Sequence, residues 1–565
     1  MNYFFYLLTI LLPISLVAQN NYVATAPNSA IPSNNNTLVG PEAGNSGISG
    51  ENNSLFGYRA GASLTSGSRN VFLGMNAGRY TTTGYVNVFI GWEAGNNTDT
   101  GFNNVFVGSG AGRYTSSGSS NTFIGAQAGI FNTTGGGNAF LGMSSGTNTS
   151  TGYNNTFIGG FAGWQNTSGF YNTFLGNGSG SFNRSGYSNV FIGVAAGSNN
   201  QDGHNIVAIG DSAGYNNKVS GNVFVGSKVG LNNTTGEANT FVGFHAGFLN
   251  TTGFSNTFIG LNAGYQNNVG AENTFLGFGA GFLNTTGGHN TLLGAAAGAN
   301  STTGTQNTFT GNSAGYNVTT GSNNTFMGYQ AGYNVTTGSS NIIIGPLSGT
   351  AITDGSDNVL MGYNSQAEDG LKNAIAIGAN SRVATSNALV LGHQANVGIG
   401  TSAPTNRLEV VSPSANTSGL TLTNLTDDSP TTRTTDQFLT VSKTGEVVKA
   451  RYKLRINSPS EWSDKVFSPS YQLRPLASVA AYIDQHRHLP GIPSADEVNR
   501  EGVDLVKMNA ALLEKVEELT LYSIQQDKAI QQQQLVNQQH QQELQVMKQR
   551  QTDLERLIQQ LLKQK

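Results

Sequence analysis

Cysteine is absent from all 565 residues, which excludes disulfide staples, thiol catalysis and tethering through an N-terminal lipid-modified Cys. Charge is scarce as well. Only 10% of the residues are Asp, Glu, Lys or Arg, and the formal net charge of -3 gives nucleic acid or an anionic membrane no electrostatic hold. Beyond the first residues, no stretch is long and apolar enough to cross a bilayer as a helix. Low charge also argues against a disordered tail, because such tails are poor in aromatics and here 29 Phe and 20 Tyr require burial. Glycine takes up much of the remainder, with 75 copies beside abundant Asn and Thr.

These residues recur with a fixed period. The glycine closing each NTF[IL]G motif falls every 17 residues from Gly40 to Gly210, then resumes after one missing residue at Gly226 and holds the step to Gly362. That makes 20 copies of NTFIGxxAGxxNTTGxx, and a period of this kind decides the architecture before any site is sought. Asn stands four residues before the marker glycine in 19 copies, with Ile206 the exception, and Gly four after it in 19, with Gln366 the exception. Phe stands two before it in 14, and the residue just before it is apolar in all but Thr310.

Successive side chains of a strand point to opposite faces, so Phe258 and Ile259 cannot share one interior. The expected fold is mainly β: a repetitive β-solenoid or β-roll with Phe inside each coil. The Ile, Leu and Val then form an outer stripe larger than the few hundred Å² a soluble monomer normally exposes, and self-association along it is expected. Ala-Gly supplies a corner with close backbone approach. NTTG is expected to supply a tight turn whose Asn and Gly adopt left-handed backbone. Stacked Asn side chains bond one another and the turn backbone, and at about 4.8 Å per coil the repeats span roughly 100 Å. The missing residue before Gly226 predicts an altered loop with the register kept.

The opening MNYFFYLLTILLPISLVAQN reads as an export signal over residues 1–18, with cleavage after Ala18 and a retained membrane anchor as the alternative. The repeat head covers 19–392, a β-rich neck 393–455, a small helical module 456–503 and a coiled-coil stalk 504–565. Beyond Gly362 the spacing shortens, and NAIAIGANSRVATSNALVLG resembles the head repeats of trimeric autotransporter adhesins. The resemblance covers about 30 residues closely and the 17-residue series by analogy. It implies left-handed β-rolls associated in threes.

The order of repeat head, VGIGTSAP segment and the module Glu461 to Tyr522 resembles secreted, tail-fibre-like surface proteins of Gram-negative bacteria. This implies an exported protein at the cell surface or outside the cell. True trimeric autotransporters finish in the amphipathic strands of an outer-membrane barrel, which this C-terminus lacks, so another surface component is expected to hold the fibre, or it is released. The final helix carries heptads with Val516, Ile530, Leu544 and Ile558 at a, and Leu519, Met547, Leu554 and Leu561 at d. Polar layers at Gln526, Gln533, Asn537 and His540 constrain register and strand number. Val or Ile at a with Leu at d favours dimers, whereas the adhesin resemblance favours a homotrimer, which the longer contact of the head supports.

Chemistry is sparse. Gly277, Gly279 and Gly281 give GxGxG without a phosphate-binding lysine or a strand-to-helix unit, and the repeat lacks the recurring Asp of calcium-binding coils. His486 and His488 stand two apart and read as a helix end before Pro490 rather than a metal pair. Ser463, Asp464 and Lys465 match a self-cleaving tail-fibre chaperone only in part. Asn-x-Thr tripeptides such as Asn250 to Thr252 follow from the turn consensus and are weak evidence for glycans. No catalytic residue, cofactor or metal is expected.

The expected role is adhesion or surface display by a non-enzymatic fibre. The expected ligand contacts are Arg79, Tyr80, Arg113, Tyr114, Trp164, His245 and Phe282 on the turns, with carbohydrate or another cell-surface ligand as partner. The aromatic residues among them read equally well as corner plugs. A phage-derived tail fibre or receptor-binding protein is the first alternative. A binder of ice or crystal surfaces through stacked NTTG threonines is the second, and it requires a flat regular strand face.

Overall fold

A computed structural model describes residues 35–414, 419–421, 423, 437–451, 458, 459 and 462–564. The proposed export signal and the GLTLTNL run beyond Thr421 fall largely outside them. The chain divides into two compact units, 1–420 and 421–565.

The first unit is a parallel β-solenoid. Twenty-two short strands form a single parallel sheet that begins at Thr37–Val39 and ends at Leu389–Leu391. Each pairs with the strand one coil away, as in Thr240↔Thr257, Phe241↔Phe258 and Val242↔Ile259. Turn backbones are laddered too: Gly247 N–H donates to Ala263 O at 2.9 Å and Thr251 N–H to Asn268 O at 2.9 Å.

The middle residue of each repeat strand points inward, and the Phe side chains there are almost wholly buried. From Phe72 to Phe191 eight rings stack continuously, with centroids 4.7–4.8 Å apart and planes within 3–9°. Burying each ring contributes on the order of 2–3 kcal/mol. The Asn four before each marker glycine forms the expected column: Asn70 Nδ2 donates to Asn53 Oδ1 at 3.0 Å and to Gly84 O at 2.9 Å.

The NTTG turn differs from expectation. Left-handed backbone falls instead at the Ala-Gly glycine, as at Gly247 (φ 58°), two residues after the marker glycine, as at His245 (φ 57°), and five before it, as at Ser255 (φ 54°). The NTTG glycine is required by close approach, because a Cβ on Gly253 would lie 2.4 Å from Gly270 O. The NTTG Asn turns inward, where Asn250 Nδ2 donates to Asn233 Oδ1 at 2.7 Å and to Gly253 O at 2.9 Å. Such a buried acceptor cannot carry a glycan while the coil is folded.

The missing residue is absorbed in one coil. Val207↔Val223 and Ile209↔Val225 keep the register, while Asn217 Nδ2 closes the shortened turn on Val219 O at 2.7 Å. That coil also carries Ile206 and Ala208 where its neighbours carry Asn and Phe. Phe224 tilts by 41° from Phe241, so that it faces Gly214 across the space a ring at position 208 would fill. Beyond the long sheet, Val397–Ile399 pairs in parallel with Leu408–Val410.

The second unit holds an antiparallel hairpin, Gln437–Val441 with Val447–Arg451, and a 3-10 helix, Ser463–Phe467. Three α-helices follow, α1 (Leu476–His486), α2 (Ala495–Glu501) and α3 (Leu505–Leu562). Ser494 caps α2 through a reciprocal box with Glu497, and Asp504 Oδ1 caps α3 by accepting from the Val506 and Lys507 N–H groups. Only Ala510 and Glu517 of α3 are buried. The heptad residues from Val516 to Leu561 lie on its exposed surface.

Candidate functional site

Because the coil interior is filled by Phe, Ala and Asn, only the outer strand positions and the turns can meet a partner. The seven turn residues are all at least partly accessible, and the fold gathers some of them. The Arg79 guanidinium lies 4.8 Å over the Tyr80 ring. Arg113 lies 5.1 Å from the Tyr114 ring and 5.7 Å from that of Trp92. Its Nε is 2.9 Å from a Glu93 carboxylate oxygen, although the N–H does not point at that oxygen in hydrogen-bonding geometry. Phe131 covers one face of Tyr114 at 5.3 Å.

His245 and Phe282 belong to one aromatic group. Phe248, Tyr265 and Phe282 stack at 5.3 and 5.1 Å, and His245 sits 3.7 Å from Phe244 and 4.7 Å from Phe248. Burial, aided by the Lys228 charge, holds His245 below the ordinary histidine range. Trp164 stands apart, edge-on to Phe182 at 6.3 Å. Tyr114, Trp164, His245, Phe248, Tyr265 and Phe282 are half-buried, whereas Tyr80, Phe131, Phe182 and Phe244 are exposed.

One column escaped the sequence reading, the residue directly after the NTTG glycine. Tyr85 stacks on Phe102 at 4.9 Å, and Tyr153, Phe170, Tyr187 and His204 form a four-ring stack at 4.9, 4.9 and 4.4 Å. The signal was an aromatic recurring after the turn glycine, seen again at Phe254 and hidden because the column elsewhere holds Ser, Gly, Glu, Ala or Thr.

The outer sheet face carries the expected apolar stripe. Leu73 is 48% exposed and Leu276 46%, and the residue after the marker glycine adds Trp92, Phe244 and Phe278. Alongside runs an outward column of Thr240, Thr257, Thr274, Thr291, Thr308 and Thr325. The NTTG threonines are used differently: Thr234, Thr285 and Thr302 each donate to the carbonyl one coil on at 3.0 Å.

Elsewhere the motifs resolve into structure. A Cβ on Gly281 would lie 2.5 Å from the Phe275 ring, so this GxGxG is coil packing. His486 ends α1 and stacks on Tyr482 at 4.3 Å, and among the described residues no group of three or more His, Cys, Asp or Glu is placed to hold a metal ion. Lys465 pairs with Glu514 of α3 at 3.1 Å, while the Ser463 side chain lies outside the described residues. A cavity of about 400 Å³ lies between α1 and α3, with Leu476, Val479, Leu512 and Leu519 in its walls. No described helix is long and apolar enough to cross a membrane. No family model matches the chain, and comparison with curated proteins and with solved structures returns no match.

Proposed function

We propose that this chain is an exported, non-enzymatic fibre that works in adhesion or surface display at or beyond the surface of a Gram-negative bacterium. The observation that carries this reading is the exposed apolar stripe on the outer face of the 22-stranded sheet. A stripe repeated over so many coils is larger than a soluble monomer normally exposes, and further copies of the chain would cover it. The heptads of α3 call for the same kind of partner, and parallel association in threes is the proposed state. Recurrent turns along such a rod suit many weak contacts acting together, with carbohydrate the proposed target.

Light scattering of the purified protein tests the assembly. Three chains per particle are expected, and a mass of 59.2 kDa, that of a single chain, at micromolar concentration would overturn it. Removing blocks of repeats tests the function: attachment of coated beads to cells should fall in proportion. Full attachment by residues 393–565 alone would reduce the solenoid to a spacer. Loss of residues 1–18 from secreted material would favour this reading over a phage tail fibre.

Binding to ice or a crystal face is a second reading. What favours it is the six-coil Thr column on the outer strand face, with one Thr side chain per coil. Thermal hysteresis in dilute protein supports it, and its absence removes it.

A further inference from the structure

We propose that a notch near the N-terminal end of the solenoid binds a neutral hexopyranose unit of a glycan, stacked on the free face of Tyr85. This rests on the adhesive reading above and places a ligand subsite within it. A pyranose meets an aromatic ring by laying its C–H groups on an open ring face, and in a face-to-face column the inner rings have none. Phe170 and Tyr187 are therefore closed, each with a ring on both sides.

Rings with no ring neighbour on one side keep a free face, and in this column these are Tyr85, Phe102, Tyr153, His204 and the lone Phe254. The Ser220 hydroxyl holds the edge of His204 at 2.9 Å from Nδ1, Tyr171 meets Tyr153 edge-on at 5.5 Å, and the notch has Tyr85 as its one ring. Tyr85 differs. One face is covered by Phe102 at 4.9 Å with the planes 3° apart, and the other looks along the column toward Ser68 and then Glu51, the residues 17 and 34 positions earlier. Where two rings would continue the stack, a cavity of about 410 Å³ opens, and Tyr85 forms part of its wall. Two coil spacings make it roughly 10 Å long, enough for one sugar ring on the tyrosine and a second beyond it.

The remaining walls are polar. Ser49, Ser66 and Thr83 line one side from the turn column two residues earlier, and Asn52 and Arg69 line the other. The Ser68 hydroxyl is engaged in accepting from Glu51 N–H at 3.0 Å. Among the described residues the side chains of Glu51 and Arg69 make no ion pair with each other or with any neighbour. A carboxylate that only accepts and a guanidinium that only donates suit adjacent sugar hydroxyls. With one charge of each sign, the notch favours a neutral sugar over a uronic or sulfated one. A single shallow site of this kind binds weakly and relies on repeated copies for avidity.

The test is saturation-transfer NMR on the full chain with the methyl glycosides of glucose, galactose and mannose. At least one should receive saturation on the C–H groups of one ring face. Tyr85→Ala should weaken binding at least about tenfold and Tyr85→Phe should retain it. Ser68→Phe, which continues the ring column into the notch, should abolish the signal while thermal unfolding stays unchanged or rises. No signal from any of the three glycosides overturns the proposal, as does a signal undiminished in Ser68→Phe. Bead attachment that survives Ser68→Phe but falls when repeats are removed also overturns the notch, and leaves the adhesive reading standing. A glycoside signal lost in Ser68→Phe from a chain that attaches to no cell supports the notch and removes the adhesive reading.

Discussion

Phe174 and Leu554 are both apolar side chains in regular secondary structure, yet the first is 0% exposed and the second 61%. Phe174 finds its partners one period away in either direction, since Phe157 and Phe191 lie on its two faces at 4.7 and 4.8 Å. Leu554 sits on a 58-residue helix with two buried residues, both near its start. A solenoid coil buries its inner face against copies of itself in the same chain. A heptad helix has no such neighbour in sequence and requires one from another chain. The outer face of the solenoid shares the condition of the helix, because among the described residues its Leu73, Ile259 and Leu276 side chains stay exposed.

Substitutions at these two residues sharpen the contrast most. Phe174→Ala should destabilise the solenoid by about 3–5 kcal/mol, read from denaturant unfolding, because a ring tilting as Phe224 does beside Ala208 fills such a gap only in part. Leu554→Ala should leave that transition in place and lower only the melting of the α3 helix, read from circular dichroism. An equal loss of solenoid stability from both would break the distinction.

Glycine at the corner gives the next largest effect. A Cβ on Gly247 would lie 2.4 Å from the Phe241 ring at φ 58°, so Gly247→Ala should cost at least about 2 kcal/mol. Gly445, with nothing near its Cβ position, should tolerate Ala with a smaller loss, from its φ of 87° alone. Asn256→Leu should follow at about 1–3 kcal/mol. It leaves Gly270 O and Asn273 N–H without the partners they now have at 2.8 and 3.0 Å, and hydrogen exchange should quicken at Asn273 first.

The smallest effect belongs to the helical unit. Hydrogen bonds from Ser494 backbone and side chain hold Glu497 below its ordinary 4.5. A depressed carboxyl supports its folded state above the ordinary value and loses that support as the pH falls through the lower folded one. The α2 amides should therefore fray as the pH falls from about 4.5 through the lower folded value, while solenoid amides stay protected, as NMR can show. Glu497→Gln should remove the pH dependence.

Much of the solenoid was legible because its period is strict. Phe258 inside, Ile259 outside and the column through Asn256 all follow from strand alternation and the 17-residue step. The NTTG turn was misjudged because glycine serves two needs that look alike in sequence. At Gly253 it makes room for a neighbouring carbonyl, while the left-handed backbone falls to Gly247 and also to His245 and Ser255, two residues with no such signature. The seven turn residues were legible as accessible positions, but their grouping was not.

The sequence by itself determined the repeat, the inner and outer faces, the Asn columns and the tolerance of one missing residue, because each depends on spacing along the chain. Tertiary structure decided which ring faces are covered and where a face stays open, as at Tyr85, and how Phe224 tilts beside Ala208. The physical reason is that hydrogen bonding sets coils close to the 4.7–4.8 Å at which the inner rings stack. A contact between residues 17 apart therefore depends on what every intervening turn does with its backbone.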